Sequence, residues 1–373
     1  MRSCVIFGGA GFVGTHLAKH FLKTKRFDHV HLADIRPGSL AGHPGITTSF
    51  TDVRQPIPEE LIKSRPEWIF NLAAIHREPG HIREEYFDTN LKGAHNVCAY
   101  ADAVGCDSMY FTSSISVYGP TTRPTDEHSP IQPSTPYGGS KYPAELIHEM
   151  WKKAYPHRRL IVARPGVLYG PGDPGNIMRM IQAIKKGYFA FPGSPGIYKS
   201  YGYIYGFLDS IDFAMSMSKD FFCYNYVETP TQPLKELVAV IRQFTGTNAL
   251  VLPIPLWILL PVSQTIQKLL GFRNPIHPVR VKKAATPTHI IPNALMESGF
   301  YFRYTFESSL HHWQKTAPED FGNILVEKKH IMREKIILKR PPETAEQLTS
   351  SEMIVNRKTT EKADKAGKKE PTR

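Results

Sequence analysis

The chain has 373 residues, 41% of them hydrophobic, and a formal net charge of +12. That length can bury a sizeable core in one large or two medium domains. No basic stripe with interleaved aromatics and no reader motif accompanies the charge, which argues against a nucleic-acid partner and leaves a field suited to an anionic small molecule. The four cysteines, Cys4, Cys98, Cys106 and Cys223, have neither metal-ligand nor disulfide spacing. They read as reduced thiols of a cytoplasmic protein, with no metal site. The chain runs straight from Met1 into a strand, so no signal segment is expected.

A short apolar strand over Ser3–Phe7 is followed at once by GGAGFVGTHLAKHFL. Gly8, Gly11 and Gly14 give G-x-x-G-x-x-G, and Gly9, Gly11 and Gly14 also satisfy G-x-G-x-x-G. Such glycines permit a tight turn and let backbone N–H groups approach a pyrophosphate at a helix N-terminus. The fingerprint is unspecific alone. Its position between a strand and an amphipathic helix is the context that gives it meaning, with Gly8, Gly11, Phe12 and Val13 as candidate contacts.

A second apolar strand, residues 29–33, ends in Asp34, 20 residues past Gly14. A carboxylate there can bind adenosine ribose hydroxyls and repel a 2′-phosphate, which favours NAD; Arg36 would welcome that phosphate and blurs the choice. Asp52 and Val53 follow a short extended run, where a carboxylate can meet the adenine amino group or simply close a turn. WIFNLAAIHREPG reads as a buried strand leading into a loop, and the small Leu72, Ala73, Ala74 stretch would let a flat dinucleotide lie against the backbone. Asn90 sits inside the following helix, where asparagine is usually solvated or bonded to backbone.

SMYFTSSISVYG is a further strand ending in hydroxyls, and after the proline-rich SPIQPSTP the stretch PYGGSKYPAE begins a helix. Tyr137 and Lys141, four residues apart, lie on one helix face. A lysine ammonium near a phenol favours the phenolate, so the tyrosine can exchange protons closer to neutral pH, as a general acid/base on a hydroxyl must. Strands alternating with helices argue for a parallel doubly wound α/β sheet, whose ligands bind at the carboxyl ends of the strands.

Beyond residue 160, LIVARPGVLYGPGDPGN is a strand and turn-rich loop, and Asn176 opens a helix whose N-terminus suits a second phosphate. Residues 187–205 have the glycine, proline and aromatic content of a substrate pocket or a compact loop. A helix is predicted over Leu234–Thr245, a strand over 250–255, and a strand entering a last helix over 300–313. The apolar run 249–262 contains Pro253, Pro255 and Pro261 and is too short to span a bilayer. It reads as a buried strand-turn-helix, with a membrane-surface element as the alternative. From Val326 onward, 13 Lys and Arg stand against 8 Asp and Glu; an amphipathic basic helix is open as far as Arg340, and the end reads as disordered.

With GGAGFVG, Asp34, NLAA, Asn90, TSSISVYG, YGGSK and ARPGVLYGPG in this order, the chain resembles the extended short-chain dehydrogenase/reductase family, most nearly its NAD-dependent nucleotide-sugar epimerase/dehydratase branch. The resemblance runs from Arg2 to about Trp313. It implies a Rossmann-type NAD-binding domain over 1–170, with segments near 200–230 returning to it. A smaller C-terminal α/β substrate-binding domain would cover 171–320, and 326–373 would be a basic tail. It further implies that Tyr137 is the acid/base, that Lys141 holds the cofactor ribose and lowers the tyrosine pKa, and that Ser114 bonds the reacting hydroxyl. Cofactor contacts would come from Gly8, Gly11, Phe12, Val13, Asp34, Asp52, Val53, Leu72, Ala73, Ala74, Asn90, Tyr137 and Lys141.

Substrate contacts would come from Ser114, Ser116, Asn176, Lys199 and Arg280, the last as a phosphate clamp. Lys199 stands where relatives carry an arginine and gives up bidentate geometry. The family's 4,6-dehydratases carry Asp-Glu after the catalytic threonine, and its UDP-glucuronate decarboxylases a Glu two positions after it. Here those positions hold Ile115 and Ser116, which can supply neither a carboxylate nor an acid, so both activities are disfavoured. The expectation is an NAD-dependent C4 epimerase of a nucleotide-diphosphate sugar working through a 4-keto intermediate. A reductase or dehydrogenase of a similar substrate and a non-catalytic dinucleotide-sensing scaffold are the alternatives. A homodimer through the helices around NLKGAHNVCAY and YPAELIHEMWKKA, without stable membrane insertion, completes the reading.

Overall fold

Buried apolar runs build the centre of the molecule. β1 (Ser3–Phe7) is buried along its whole length, and α1 (Phe12–Lys23) follows, burying Gly14, Leu17, Ala18 and Phe21 at helical spacing. β2 (His29–Asp34), β3 (Ile46–Phe50), β4 (Trp68–Asn71), α2 (Arg83–Ala103) and β5 (Ser108–Thr112) come next. A minor strand β6 (Thr121–Thr125) precedes α3 (Pro136–Lys153) and β7 (Arg159–Pro165). The computed structural model describes residues 2–173, 175–271 and 277–325, so the tail expected from 326 lies outside the described residues.

The second half holds β8 (Val167–Tyr169), α4 (Asn176–Lys185), β9 (Tyr188–Pro192), β10 (Tyr201–Tyr203), α5 (Ile204–Ser216), β11 (Phe221–Tyr226) and α6 (Leu234–Thr245). It continues with β12 (Leu250–Ile254), α7 (Leu256–Leu270), α8 (Pro278–Ala285), β13 (Thr288–Ile290), α9 (Asn293–Glu297) and α10 (Phe306–Thr316).

Seven strands form one parallel sheet in the order β11-β7-β5-β4-β1-β2-β3. The chain leaves β1 toward β3 on one side and resumes at β4 on the other, so the crevice between β1 and β4 is a topological switch point. This is the doubly wound, Rossmann-type α/β architecture expected, and β11 brings the segment near 221 back to the sheet edge beside β7. Inner strands are buried on both faces because helices cover them, while edge strand β3 exposes Thr47, Thr48 and Phe50. Three two-stranded parallel pairs, β8–β10, β9–β12 and β6–β13, lie outside the main sheet.

Two sequence expectations fail here. Residues 301–305 form no strand: the run has no partner strand, and Tyr304 packs instead on Tyr203 and His312, with ring centroids 5.0 and 5.1 Å away. The apolar run 249–262 does form a strand, turn and helix, but not a buried one. Leu250, Leu252, Trp257, Ile258 and Val262 are exposed, because β12 has only β9 beside it and α7 buries only Ser263.

Helices α2 and α3 pack together against the sheet, and α3 is fixed at its start by Thr135, whose hydroxyl accepts from the Gly138 N–H at 3.2 Å, with Pro136 in the first turn. Deeper in α3 the buried Glu145 accepts from Arg164 of β7 at 3.0 Å (Nε to Oε1) and 2.6 Å (NH2 to Oε2), and from the Ser113 hydroxyl. Arg164 also donates to Tyr118 at 2.8 Å, and Tyr118 to Asn225 at 2.9 Å. Removing one partner of such a buried pair leaves an uncompensated charge. Glu145→Ala is therefore expected to cost about 3–5 kcal/mol in urea unfolding followed by circular dichroism. Glu149→Ala, which breaks the exposed 3.4 Å pair with Lys153, should cost under about 1 kcal/mol.

Candidate active site

The carboxyl ends of the sheet strands open into one cleft of about 2920 Å³. Its first wall is the glycine turn. Gly8 has φ +78°, and a Cβ there would lie 2.8 Å from the backbone of Leu72 and Ala73; at Gly14 a Cβ would meet the Gly8 carbonyl at 2.6 Å. Only glycine lets the loop, the start of α1 and the end of β4 close on each other. α1 starts with no side-chain cap and no acidic residue in its first turn, so its N–H groups are available to an anion beside Gly11, Phe12 and Val13, which line the cleft.

Asp34, at the end of β2, accepts from the Ala10 N–H at 3.0 Å and the Arg36 N–H at 3.1 Å, while the Arg36 guanidinium lies 3.8 Å from it and is itself exposed. Asp52 is gripped by Arg54 at 2.6–3.0 Å, which holds its carboxyl below the usual carboxylate range. Val53, packed where Gly93 leaves room, and Leu72, Ala73 and Ala74 also line the cleft. Asn90 is elsewhere. Buried in α2, it accepts from the Ile75 N–H at 3.0 Å and donates to Ser140 at 2.7 Å, so its amide fastens the loop after β4 instead of lining the cleft.

The hydroxyl chemistry converges across the cleft. Ser114 Oγ, just past β5, accepts from the Ser116 N–H at 3.1 Å and donates to the Ser116 hydroxyl at 3.1 Å. Tyr137 and Lys141 come from the first two turns of α3. Burial pushes the Tyr137 phenol up to about 12, with the Ser114 hydroxyl opposing and Glu78 adding to the rise. Lys141 is fully buried, its ammonium 4.2 Å from the Phe111 ring centroid. Burial drives it down to about 7, against the pull of Glu145. The Tyr137 phenol thus moves up, opposite to the lowering expected from Lys141, because burial penalises its charged form.

Sequence reasoning missed Glu78. Its carboxylate accepts from the Tyr137 backbone N–H at 3.3 Å and from Lys283 of α8 at 3.3 Å, tying the start of α3 to the far wall. The only sequence signal was an acid soon after NLAA. On that wall Asn176 starts α4, exposed, with its Oδ1 3.4 Å from Arg179, and Arg280 lies in the first turn of α8. Lys199 lines the cleft, but its ammonium donates to the Thr286 and Lys283 carbonyls at 2.8 and 3.1 Å, so it also holds the end of α8.

The groove at the sheet switch point opens beside an uncapped helix start, a carboxylate at the end of β2 and a Ser-Tyr-Lys set, the arrangement of a dinucleotide-dependent enzyme that works on a hydroxyl or ketone. The chain belongs to the NAD dependent epimerase/dehydratase family, which matches residues 4–216. It is 30% identical to N-acetyl-alpha-D-glucosaminyl-diphospho-ditrans,octacis-undecaprenol 4-epimerase of Escherichia coli O157:H7, over 82% of this chain and 92% of that protein. Likeness to UDP-glucose 4-epimerase 1 of Oryza sativa subsp. japonica is 27% over 50% of this chain and 60% of that one. The fold matches UDP-glucuronic acid 4-epimerase of Bacillus cereus, solved with UDP-glucuronic acid and NAD, at TM-score 0.67 and 16% identity, over 84% of this chain and 98% of that one. NAD is the cofactor of this family, and the glycine turn, the Asp34 carboxylate and the small residues after β4 fit it.

The lysine shift has a consequence for stability. Its value falls from an ordinary 10.5 to about 7, so the penalty of burying its charge is fully present below pH ~7 and is relieved as pH rises toward the unfolded value. Cofactor-free Lys141→Met protein should therefore exceed wild type in stability near neutrality. The margin should close by about 1 kcal/mol per pH unit up to pH ~10, read from urea midpoints.

Proposed function

We propose that this protein is an NAD-dependent epimerase acting at C4 of a nucleotide-diphosphate sugar through a transient 4-keto sugar. The observation that carries the reading is that Ser114, Tyr137 and Lys141 line the same cleft as the glycine turn, with the Ser114 hydroxyl bonded to the Tyr137 phenol and no carboxylate at positions 115 and 116 to drive elimination. Bound there, NAD would supply the hydride acceptor, and later donor, for the sugar C4. Gly8, Gly11, Phe12, Val13, Asp34, Asp52, Val53, Leu72, Ala73, Ala74, Tyr137 and Lys141 would hold it. Tyr137 Oη takes the proton of the sugar O4 and later gives it back, while Ser114 Oγ bonds the same oxygen and keeps it in line.

Charge on Lys141 offsets the burial cost of the phenolate. Asn176, Lys199 and Arg280 face the diphosphate side, and a homodimer through α2 and α3 goes with this proposal, since Leu146 and Met150 of α3 are exposed. A second reading keeps the chemistry and changes the carrier to a polyprenol diphosphate. It is favoured by the match along 92% of a relative named for an undecaprenol-linked sugar, against 60% for the UDP-glucose 4-epimerase.

Proton NMR of the purified chain with UDP-glucose or UDP-N-acetylglucosamine, without added cofactor, tests the first reading. An anomeric signal of the 4-epimer should grow, and Tyr137→Phe should slow it by about 10²–10⁴-fold. Turnover only of a polyprenol-linked sugar supports the second carrier. Turnover only with added NADH replaces both readings by a reductase.

A further inference from the structure

We propose that α7 and the β9–β12 pair form a docking surface for an anionic phospholipid bilayer. The proposal goes beyond the epimerase reading, and its test needs no turnover. Trp257 and Leu269 on α7 are 76% and 78% exposed, Leu250 on β12 is 62% exposed, and Ile258, Val262 and Tyr188 are exposed as well. On α7, Ile258, Val262 and Leu269 follow the spacing of one helical stripe, with exposed Trp257 on one flank and Ser263, the one buried residue of α7, on the other, each about 120° round the helix. Strand register adds Tyr188 opposite Leu250 on the neighbouring pair. A tryptophan at the edge of an apolar helix face is the composition of a helix lying in a membrane interface. Among the described residues no helix is long and apolar enough to cross a membrane, so α7 would lie on the bilayer and not through it.

Charge selects the occupant. No Asp or Glu occurs between Glu236 and Glu297, whereas exposed Lys268 is the charged residue of α7, and Arg280 and Lys282 follow on α8, where Lys283 is already paired with Glu78. A second copy would oppose these cations with its own, while anionic headgroups complement them. The same elements reach the cleft with other side chains, Leu259 of α7 and Phe189 of β9, beside Val279 and Arg280 of α8.

Sedimentation of the full chain with vesicles of equal phosphatidylcholine and phosphatidylglycerol, and with phosphatidylcholine alone, is the test. Binding should be at least ~10-fold tighter to the anionic vesicles. It should fall at least ~10-fold in a triple Trp257→Ser, Ile258→Ser, Val262→Ser variant, with Lys268→Glu weakening the anionic component. Trp68, Trp151 and Trp313 are buried, so a blue shift of tryptophan emission on adding vesicles reports Trp257 and should vanish in Trp257→Phe. The triple variant changes only exposed side chains and should turn over a water-soluble nucleotide sugar as wild type does.

Wild-type sedimentation of the triple variant would overturn the proposal and assign binding to the basic residues beyond 325. So would unchanged Trp257 emission in sedimenting protein. A dimer that the triple variant dissociates, with no vesicle binding, would assign the face to a second copy instead. Failure of the epimerase assay in wild type, with vesicle binding intact, speaks only against the substrate reading.

Discussion

The carboxylate of Glu145 is the constraint on which the active-site geometry depends. It is fully buried in α3, one turn from Lys141 and two from Tyr137, and it binds Arg164 of β7 and the hydroxyl of Ser113, the neighbour of Ser114. A charge removed from water to this extent must keep its partners, so helix, strand and serine loop are locked into one arrangement. Ser114, Tyr137 and Lys141, from the loop after β5 and the start of α3, thus share one anchor. The arrangement continues through Tyr118 to Asn225 on the outer strand β11, and Asn225 takes up Glu127 at 2.6 Å through its N–H.

The same burial shapes the chemistry. Dehydration moves the Tyr137 proton and the Lys141 charge in the directions that oppose ionisation, and Glu78 adds a negative charge on the tyrosine side. A site with its lysine near 7 is one whose charge responds to a neighbour, because a small change in field moves it between its two forms. Glu78 also joins the two walls of the cleft through Lys283, so the position of Tyr137 is coupled to the position of α8.

The two halves of the molecule treat their apolar residues differently. Around the sheet, helices on both faces leave strands such as β1 and β4 without exposed residues. The β9–β12 pair and α7 are covered only in part, by α4 and α8, so Leu250, Leu252, Trp257, Ile258 and Leu269 end up in solvent. Exposed apolar groups gathered in this way are what the proposed docking surface draws on.

Much of this was legible from local order. The glycine turn, Asp34 at the end of β2, the hydroxyls after β5 and the Tyr137–Lys141 spacing are each written within a few residues, and parallel α/β winding carries all strand ends to one edge. Side chains whose role depends on a distant partner were not legible. Glu78 meets Lys283 across 205 positions, and Lys199 meets the Thr286 carbonyl across 87. Asn90, correctly placed in a helix, is taken up by Ile75 and Ser140. Hydropathy could mark 249–262 as apolar but not say which face would be covered, because that depends on how many layers the fold stacks there. The sequence by itself determined most of the elements and the winding, and it named the candidate groups of the cleft, since these follow from periodicity and turn chemistry. Only tertiary structure decided which buried polar group each charge must satisfy and which apolar face stays in water, because both depend on contacts the chain makes with remote parts of itself.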